Sequence, residues 1–497
     1  LRIDFSGDID LRQEEIVEDL VKFRRMVEIT GCTTEAEFIY ARQSDIPECF
    51  EKYLLLGTLF LFQGDRKSAL KNFEKAEKLS ADASQKSTAK LYQAQIYART
   101  EPARVKKCLD GIALDKVSQA FQIKAATLMA AYESRDRDYD RAARGLEDFL
   151  TELAPSQDPD AMIELASLHN TLGEIYSIQK NIAEADEHFN TALNIWNSFN
   201  IRRHLGWIHN NLADLYLKQG FTILGLKHAQ QAQVFAKDRQ NLLAEGRALL
   251  NQGEAMIKMG RFEKAEKTLQ EAKEMITRVG ANKYLVSIER NLALAKSKIS
   301  DFGHYYKFIL EHEPKLIEGT ISEINPLVKT YFYYLSEMSN PKKLRRLISK
   351  NAHIDYAQIQ EQEFYHNVLS LLAMMEKDYA TALNELKLAL QFAGEINNHY
   401  AMAVFNVLQA TCHYGLGDTA RAADLIAKAR PAIQEYQYRY WEHSLDLLEL
   451  KLQLTDPSIP LRKVLRGINR QLELCRGLEY YQLVEELLQL KIQLLVE

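Results

Sequence analysis

Leu172-Gly173-Glu174-Ile175-Tyr176 is answered 40 residues later by Leu212-Ala213-Asp214-Leu215-Tyr216, then by Gln252-Gly253-Glu254-Ala255-Met256 and by Leu292-Ala293-Leu294-Ala295-Lys296. The step returns in the second half, where Ala382, Leu386 and Ala389 recur as Ala422, Ile426 and Ala429. A fixed period in the range of about 20–50 residues marks a solenoid, whose units bury their apolar faces only against their neighbours. Such a chain offers a long surface rather than one enclosed core.

Within the clearest unit, Leu172, Ile175, Tyr176 and Gln179 lie on helical spacing, and a polar turn follows at Lys180-Asn181. Ala185, Phe189 and Ala192 then form one stripe of a second helix. Small residues at Gly173 and Ala185 let two backbones approach, and Tyr176 and Phe189 fill the space around the contact. The unit reads as an antiparallel helical hairpin. The same template fits Leu56-Gly57, Phe60, Gly64, Ala69, Phe73 and Ala76, and also Gly253, Met256, Gly260, Phe262, Ala265, Leu269 and Ala272.

This pattern of small residue, aromatic, glycine at the turn, alanine, large apolar residue and alanine resembles the tetratricopeptide repeat. The usual repeat has 34 residues, and the 40-residue step is similar to a longer-helix subclass that includes the kinesin light chains, the LGN/Pins adaptors and the sensor arms of MalT-like regulators. Asn210-Asn211-Leu212-Ala213 is especially similar to theirs. The resemblance implies an all-α fold, a right-handed superhelix of antiparallel helix pairs. It also implies a non-enzymatic scaffold or adaptor whose concave groove, lined by first helices, holds a peptide segment of a partner protein.

Along the chain, residues 1–46 read as an N-terminal helical cap, with Asp8 and Asp10 as candidate helix caps. Residues 47–300 form a first array, and Pro159 sits in a first helical turn where its missing N–H costs nothing. Over 301–350 the register is lost around Pro314, Gly319, Pro326 and Pro341, which marks an irregular helical hinge. A second array covers 351–432, and 433–497 keeps helical periodicity as a C-terminal cap.

Composition narrows the partner. The net charge of −5 and the absence of a clustered basic face argue against direct nucleic-acid binding. The most basic run, Lys342, Lys343, Arg345 and Arg346, reads as the solvated face of one helix. Cys32, Cys49, Cys108, Cys412 and Cys475 have no paired spacing, which speaks against disulfides and zinc and for reduced thiols in a cytoplasmic setting. No apolar run approaches a membrane span, and Tyr53–Phe62 is too short. The chain begins at Leu1, which suggests a processed or cloned boundary.

The candidate site follows from polar residues that recur on the step. Asn211, Asn251 and Asn291 form one ladder, Glu174, Asp214 and Glu254 a second, and Lys218, Lys258 and Lys298 a third. An amide both donates and accepts, so stacked asparagines can pair with the backbone of an extended peptide without reading its sequence. Carried over from the resemblance, peptide contact is expected at Asn211, Asn251 and Asn291 with His209 and Asn210 nearby, and Asn170 and Arg247 complete the lining. The competing reading is that the asparagines bond the neighbouring repeat, and that Glu174, Asp214, Lys218, Glu254 and Lys258 pair with each other on the surface.

Tyr331, Phe332, Tyr333 and Tyr334, then Tyr436, Tyr438, Tyr440 and Trp441, either anchor a partner or fill an irregular contact. Asp136, Asp138, Asp140 and Glu147 mimic a calcium loop, but Arg141 stands where the sharp turn needs glycine. No catalytic signature, metal site or cofactor motif is present in the sequence. Two further readings remain open. One is a sensory or regulatory arm of a larger signalling or transcription regulator that binds a small effector or peptide; the other is a Rap-like regulator of a phosphorylated response protein.

Overall fold

The computed structural model describes residues 13–30, 46–299 apart from 64, 135–137 and 239–240, then 307, 331–333, 335, 340–350 and 359–496. Asp8, Asp10, Cys32, Asp136, Tyr334 and most of the expected hinge, including Pro314, Gly319 and Pro326, lie outside the described residues. The described elements are helical, and they form two compact units, residues 1–208 and 209–497. The division falls within one helix.

In the first unit, α1 (Gln13–Thr30) packs on α2 (Phe50–Phe62), and α2 pairs with α3 (Arg66–Lys78). There follow α4 (Ala83–Thr100), α5 (Pro102–Asp110), α6 (Gln119–Glu133) and α7 (Tyr139–Glu152). The unit's last hairpin is α8 (Pro159–Gln179) with α9 (Ile182–Ser198). Leu20 and Val27 of α1 are buried, and Arg24 donates to Glu28 and to the Tyr92 hydroxyl at 2.8 Å, which anchors this covering helix to α4.

Helix α10 (Arg202–Gln219) spans the division. The second unit continues with α11 (Thr222–Asp238), α12 (Leu242–Lys258), α13 (Phe262–Arg278) and α14 (Asn282–Lys298). After α15 (Pro341–Lys350) come the hairpins α16 (Ile359–Met375) with α17 (Tyr379–Glu395) and α18 (His399–Gly415) with α19 (Thr419–Glu435). The chain's described part ends with α20 (Arg439–Thr455), α21 (Leu461–Gly477) and α22 (Tyr481–Val496).

The 40-residue step is the sum of two helices and two turns. Helices α9, α11, α12, α13 and α14 are each 17 residues long; three-residue turns precede α10, α13 and α14, and a two-residue turn joins the 18-residue α10 to α11. The turns after α8, α9, α10, α12 and α13 hold one left-handed residue each, Lys180, Asn200, Gly220, Gly260 and Gly280. The next N–H then bonds back to a carbonyl five residues earlier, as from Phe221 to Tyr216 at 2.9 Å and from Arg261 to Met256 at 2.8 Å. This ties off the helix end that would otherwise leave carbonyls unsatisfied. Helix starts are fixed by side chains: Asn241, Asp378, Asn398 and Asp418 each accept from a backbone N–H in the first turn.

The small–large pairing read from the sequence is the packing rule of the hairpins. A Cβ on Gly57, Gly173 or Gly253 would lie 2.5 Å from Phe73, Phe189 or Leu269 respectively. The large residue of the second helix thus sits directly on the glycine of the first. Helix α22 has no second helix among the described residues, and its Leu488, Ile492 and Leu495 are exposed.

Inside the second unit, residues from after position 398 meet the turns of the earlier repeats. The Tyr438 hydroxyl donates to the Gly220 carbonyl at 2.5 Å, and that of Tyr480 to the Gly260 carbonyl at 2.8 Å. Phe221 packs on His399 with ring centroids 4.7 Å apart, and Phe262 on Tyr480 at 5.7 Å. Both sides repeat with nearly the same step, so the contact repeats as two rungs. Tyr438 and Tyr480 are fully buried there, and burial pushes both phenols well above their ordinary pKa.

Candidate functional site

The first helices α10 and α12 carry the charged strip of the second unit. Asp214 and Lys218 form an ion pair of 2.6 Å and remain 41% and 46% exposed, so water screens the pair and it adds only about 0.3–0.5 kcal/mol. Glu254 and Lys258 repeat the arrangement one step later at 3.6 Å. In the first unit, Asn170 donates to Glu174 at 3.0 Å on an exposed face of α8. On α10 and on α12 one acidic and one basic ladder residue therefore pair within the same helix.

The asparagine ladder lies beneath this strip. Asn210, Asn211, Asn251 and Asn291 are all buried. The Asn210 amide donates to the Ala244 carbonyl at 2.9 Å, and Asn251 donates to the Asn210 carbonyl at 3.1 Å. The Asn211 side-chain oxygen accepts from Arg247 at 3.2 Å, and that of Asn291 from Arg290 at 3.1 Å. Among the described residues the amide nitrogen of Asn291 has no hydrogen-bond partner. In this arrangement Asn210 and Asn251 join α10 to α12 and set the spacing of the strip above them.

Removing such a buried link loses its hydrogen bond, although the Ala244 carbonyl keeps its own helical donor. Asn210→Ala is expected to cost about 0.5–1.5 kcal/mol of stability through the lost bond to that carbonyl. Asn170→Ala, on an exposed face, should stay within about 0.5 kcal/mol. Urea unfolding followed by circular dichroism compares the two.

Lys258 and Lys298 of the basic ladder face their own chain. Lys258 donates to the Leu217 carbonyl at 2.5 Å and lies 5.3 Å from the Tyr400 ring centre, and burial holds its amine below the ordinary lysine pKa. Lys298 stands at 5.3 Å over Tyr440 and 3.4 Å from the Gln482 side-chain oxygen. The aromatic group of the second half fills this contact: Trp441 donates to the Tyr400 hydroxyl at 3.0 Å, and Tyr438 is fully buried.

His209 points into its own hairpin. Its Nδ1 lies 3.0 Å from that of His228 on α11, and His169 and His188 repeat the pair at 2.9 Å between α8 and α9. Polar residues of the first helices alone do not reveal these pairs. Their signal was nonetheless in the sequence, since His169 and His188 become His209 and His228 at the 40-residue step.

Among the described residues no group of three or more metal-binding side chains converges, and Asp138 of the calcium-like run caps α7 by accepting from the Arg141 N–H. Cys412 and Cys475 are buried and free, and burial pushes the thiols up to about 12 and about 11. Among the described residues no helix is long and apolar enough to cross a membrane.

Two family models, both described as tetratricopeptide repeat, match residues 164–222 and residues 51–82 with 246–276. No curated protein matches the chain. Solved structures similar to it include a Rap protein complexed with competence and sporulation factor, at 12% identity and a TM-score of 0.39 over 83% of this chain and 98% of that one. The apo form of RapI is similar at 12% identity and a TM-score of 0.42 over 74% and 98% of the two chains. A signal transduction ATPase with numerous domains and a tetratricopeptide repeat sensor, from Pyrococcus horikoshii, is similar at 16% identity and a TM-score of 0.38, over 81% of this chain and 55% of that one.

Proposed function

We propose that this chain, a tetratricopeptide-repeat protein, is a protein-interaction scaffold that takes a peptide segment of a partner along the charged strip of α10 and α12. The observation that carries the reading is the contrast between two layers one repeat apart. Asn210 and Asn251 lock the repeats together in a dry layer, while Asp214 and Lys218 stand above it, about half in water, in a fixed alternation of sign. An exposed ion pair of this kind has little to do for stability. It suits selection of a partner of complementary pattern, through rate and register more than through raw affinity.

Asp214, Lys218, Arg247 and Glu254 are the residues assigned to partner contact, and the buried asparagines hold them in place. The resemblance to peptide-binding repeat arrays supports the same face. The test is a charge swap, Asp214→Lys with Lys218→Asp, which keeps an ion pair within α10 and inverts the pattern. Affinity capture from native lysate with mass spectrometry should show a partner held by wild type and lost by the swapped protein. Equal capture by both proteins would place the binding face elsewhere.

A further inference from the structure

The two histidine pairs do chemistry that neither the strip nor the packing rule requires. Each Nδ1···Nδ1 line, 2.9 Å for His169–His188 and 3.0 Å for His209–His228, holds a single hydrogen. One ring is then the Nδ1–H tautomer and the other the Nε2–H tautomer, and both are neutral. A first added proton can rest on the outer Nε2 of the donor ring and leave the bridge in place, although the charge sits on a half-buried ring. A second puts two N–H groups face to face and two like charges in contact, and the helices must part.

The surroundings offer limited relief. Around the first pair stand Glu187 and Glu184 on the helix of His188, and Glu147 of α7, which accepts from the Tyr176 hydroxyl. Their attraction favours a charged His188, yet burial outweighs it and the net displacement is downward. Lys124 of α6 is engaged by Glu164 of α8 at 3.5 Å. On α12, which packs against α11, Glu245 faces Lys237, Arg247 faces Asn211 and Glu254 faces Lys258. Burial first, and the partner ring second, hold His169 and His209 down to about 4.

We propose that the two pairs are proton-operated clasps, each keeping one hairpin shut near neutral pH and opening it on acidification. The second clasp lies in the hairpin that carries Asp214 and Lys218, so its opening would release a segment held there; this last step alone rests on the function proposed above. At the same slot of the second half, His366 lies 2.7 Å from Glu385. A proton there makes an ion pair instead of a repulsion, and that hairpin serves as an internal control.

The sign follows from the direction of the displacement. With folded values below the ordinary 6.5, the neutral rings stabilise the hairpins fully above that pH, and the contribution is lost as pH falls towards about 4. Amide hydrogen exchange of the full chain without partner, corrected for the intrinsic effect of pH, reads this at about pH 7.5 and about pH 5. From the ordinary value and a folded value of about 4, one such ring alone should raise the opening of its hairpin by about 30-fold at the lower pH. Residues 379–395 should not follow.

The double variant His188→Gln, His228→Gln keeps an amide opposite each remaining ring and removes the facing like charge, so its acid response should fall below that of wild type while the part owed to burial of His169 and His209 remains. If that variant folds poorly, His169→Gln with His209→Gln tests the same bridges from the other ring. An equal acid response in wild type and variants, or a response no larger at 182–198 and 222–238 than at 379–395, would overturn the proposal. Such a failure leaves the charged strip untouched, and a failed charge swap leaves the exchange result standing.

Discussion

Gly220→Ala is expected to cost more than about 4 kcal/mol and to open the contact between the two halves of the second unit. Gly220 is left-handed, with φ of +88°, which a side chain adopts only at a cost of about 1–2 kcal/mol. Its added Cβ would fall on the Tyr400 backbone nitrogen and come within 2.9 Å of the Tyr438 hydroxyl. Backbone cannot step aside as a flexible side chain can. Relief therefore requires moving Tyr400 and Tyr438 together, with loss of the Tyr438 bond to the Gly220 carbonyl and of the Phe221–His399 contact.

Gly417 is the control for this prediction. It is also left-handed, with φ of +79°, but a Cβ there meets nothing within 4 Å. Gly417→Ala should cost only the conformational part, about 1–2 kcal/mol. A stability difference of at least about 2 kcal/mol between the two variants in urea unfolding would confirm that Gly220 serves the long-range contact. Equal losses would reduce it to a turn residue.

Phe189→Ala is the second large effect. The ring is 2% exposed and lies on Gly173, where it fills the gap left by the missing side chain. Removing it leaves a cavity between two helices already in close approach, so the hairpin cannot collapse to refill it. A loss of about 3–5 kcal/mol is expected. Because a solenoid's stability is a sum over repeats and their interfaces, the loss should appear first in the α8–α9 region. Phe189→Leu should cost no more than about 1.5 kcal/mol, since Leu269 holds the same slot against Gly253. Thermal unfolding by circular dichroism, with local exchange at 182–198, separates the two variants.

These contacts differ in how far the sequence announces them. The Gly173–Phe189 pair is legible because partners within one hairpin lie 16 residues apart and recur at a fixed step. The left-handed turns at Gly220 and Gly260 are legible for the same reason, since glycine falls at the same point of successive repeats. The partnership of Gly220 with Tyr438 is not legible. Periodicity encodes what each unit does with its neighbours, and the meeting of turns about 200 residues apart depends on small rotations accumulated over several repeats.

The asparagines show a different limit. Their recurrence is plain, but a polar residue on a first helix can serve the open face or the next repeat. The choice depends on whether a neighbouring carbonyl comes within reach, as that of Ala244 does opposite Asn210. Lys258 is similar: its place on the step suggested the strip, and the Tyr400 ring and the Leu217 carbonyl instead hold it against its own chain.

Whether a partner lies along the exposed strip of α10 and α12 is decided by site-specific photo-crosslinking. A photoreactive residue would replace Asp214 on that strip or, separately, Val234 on α11, which is 59% exposed. The chains would be illuminated in native lysate and the adducts identified by mass spectrometry. The account predicts a protein adduct at position 214, suppressed when Lys218→Asp is added, and none of that identity at position 234. The same adduct at 234 with none at 214 would contradict it.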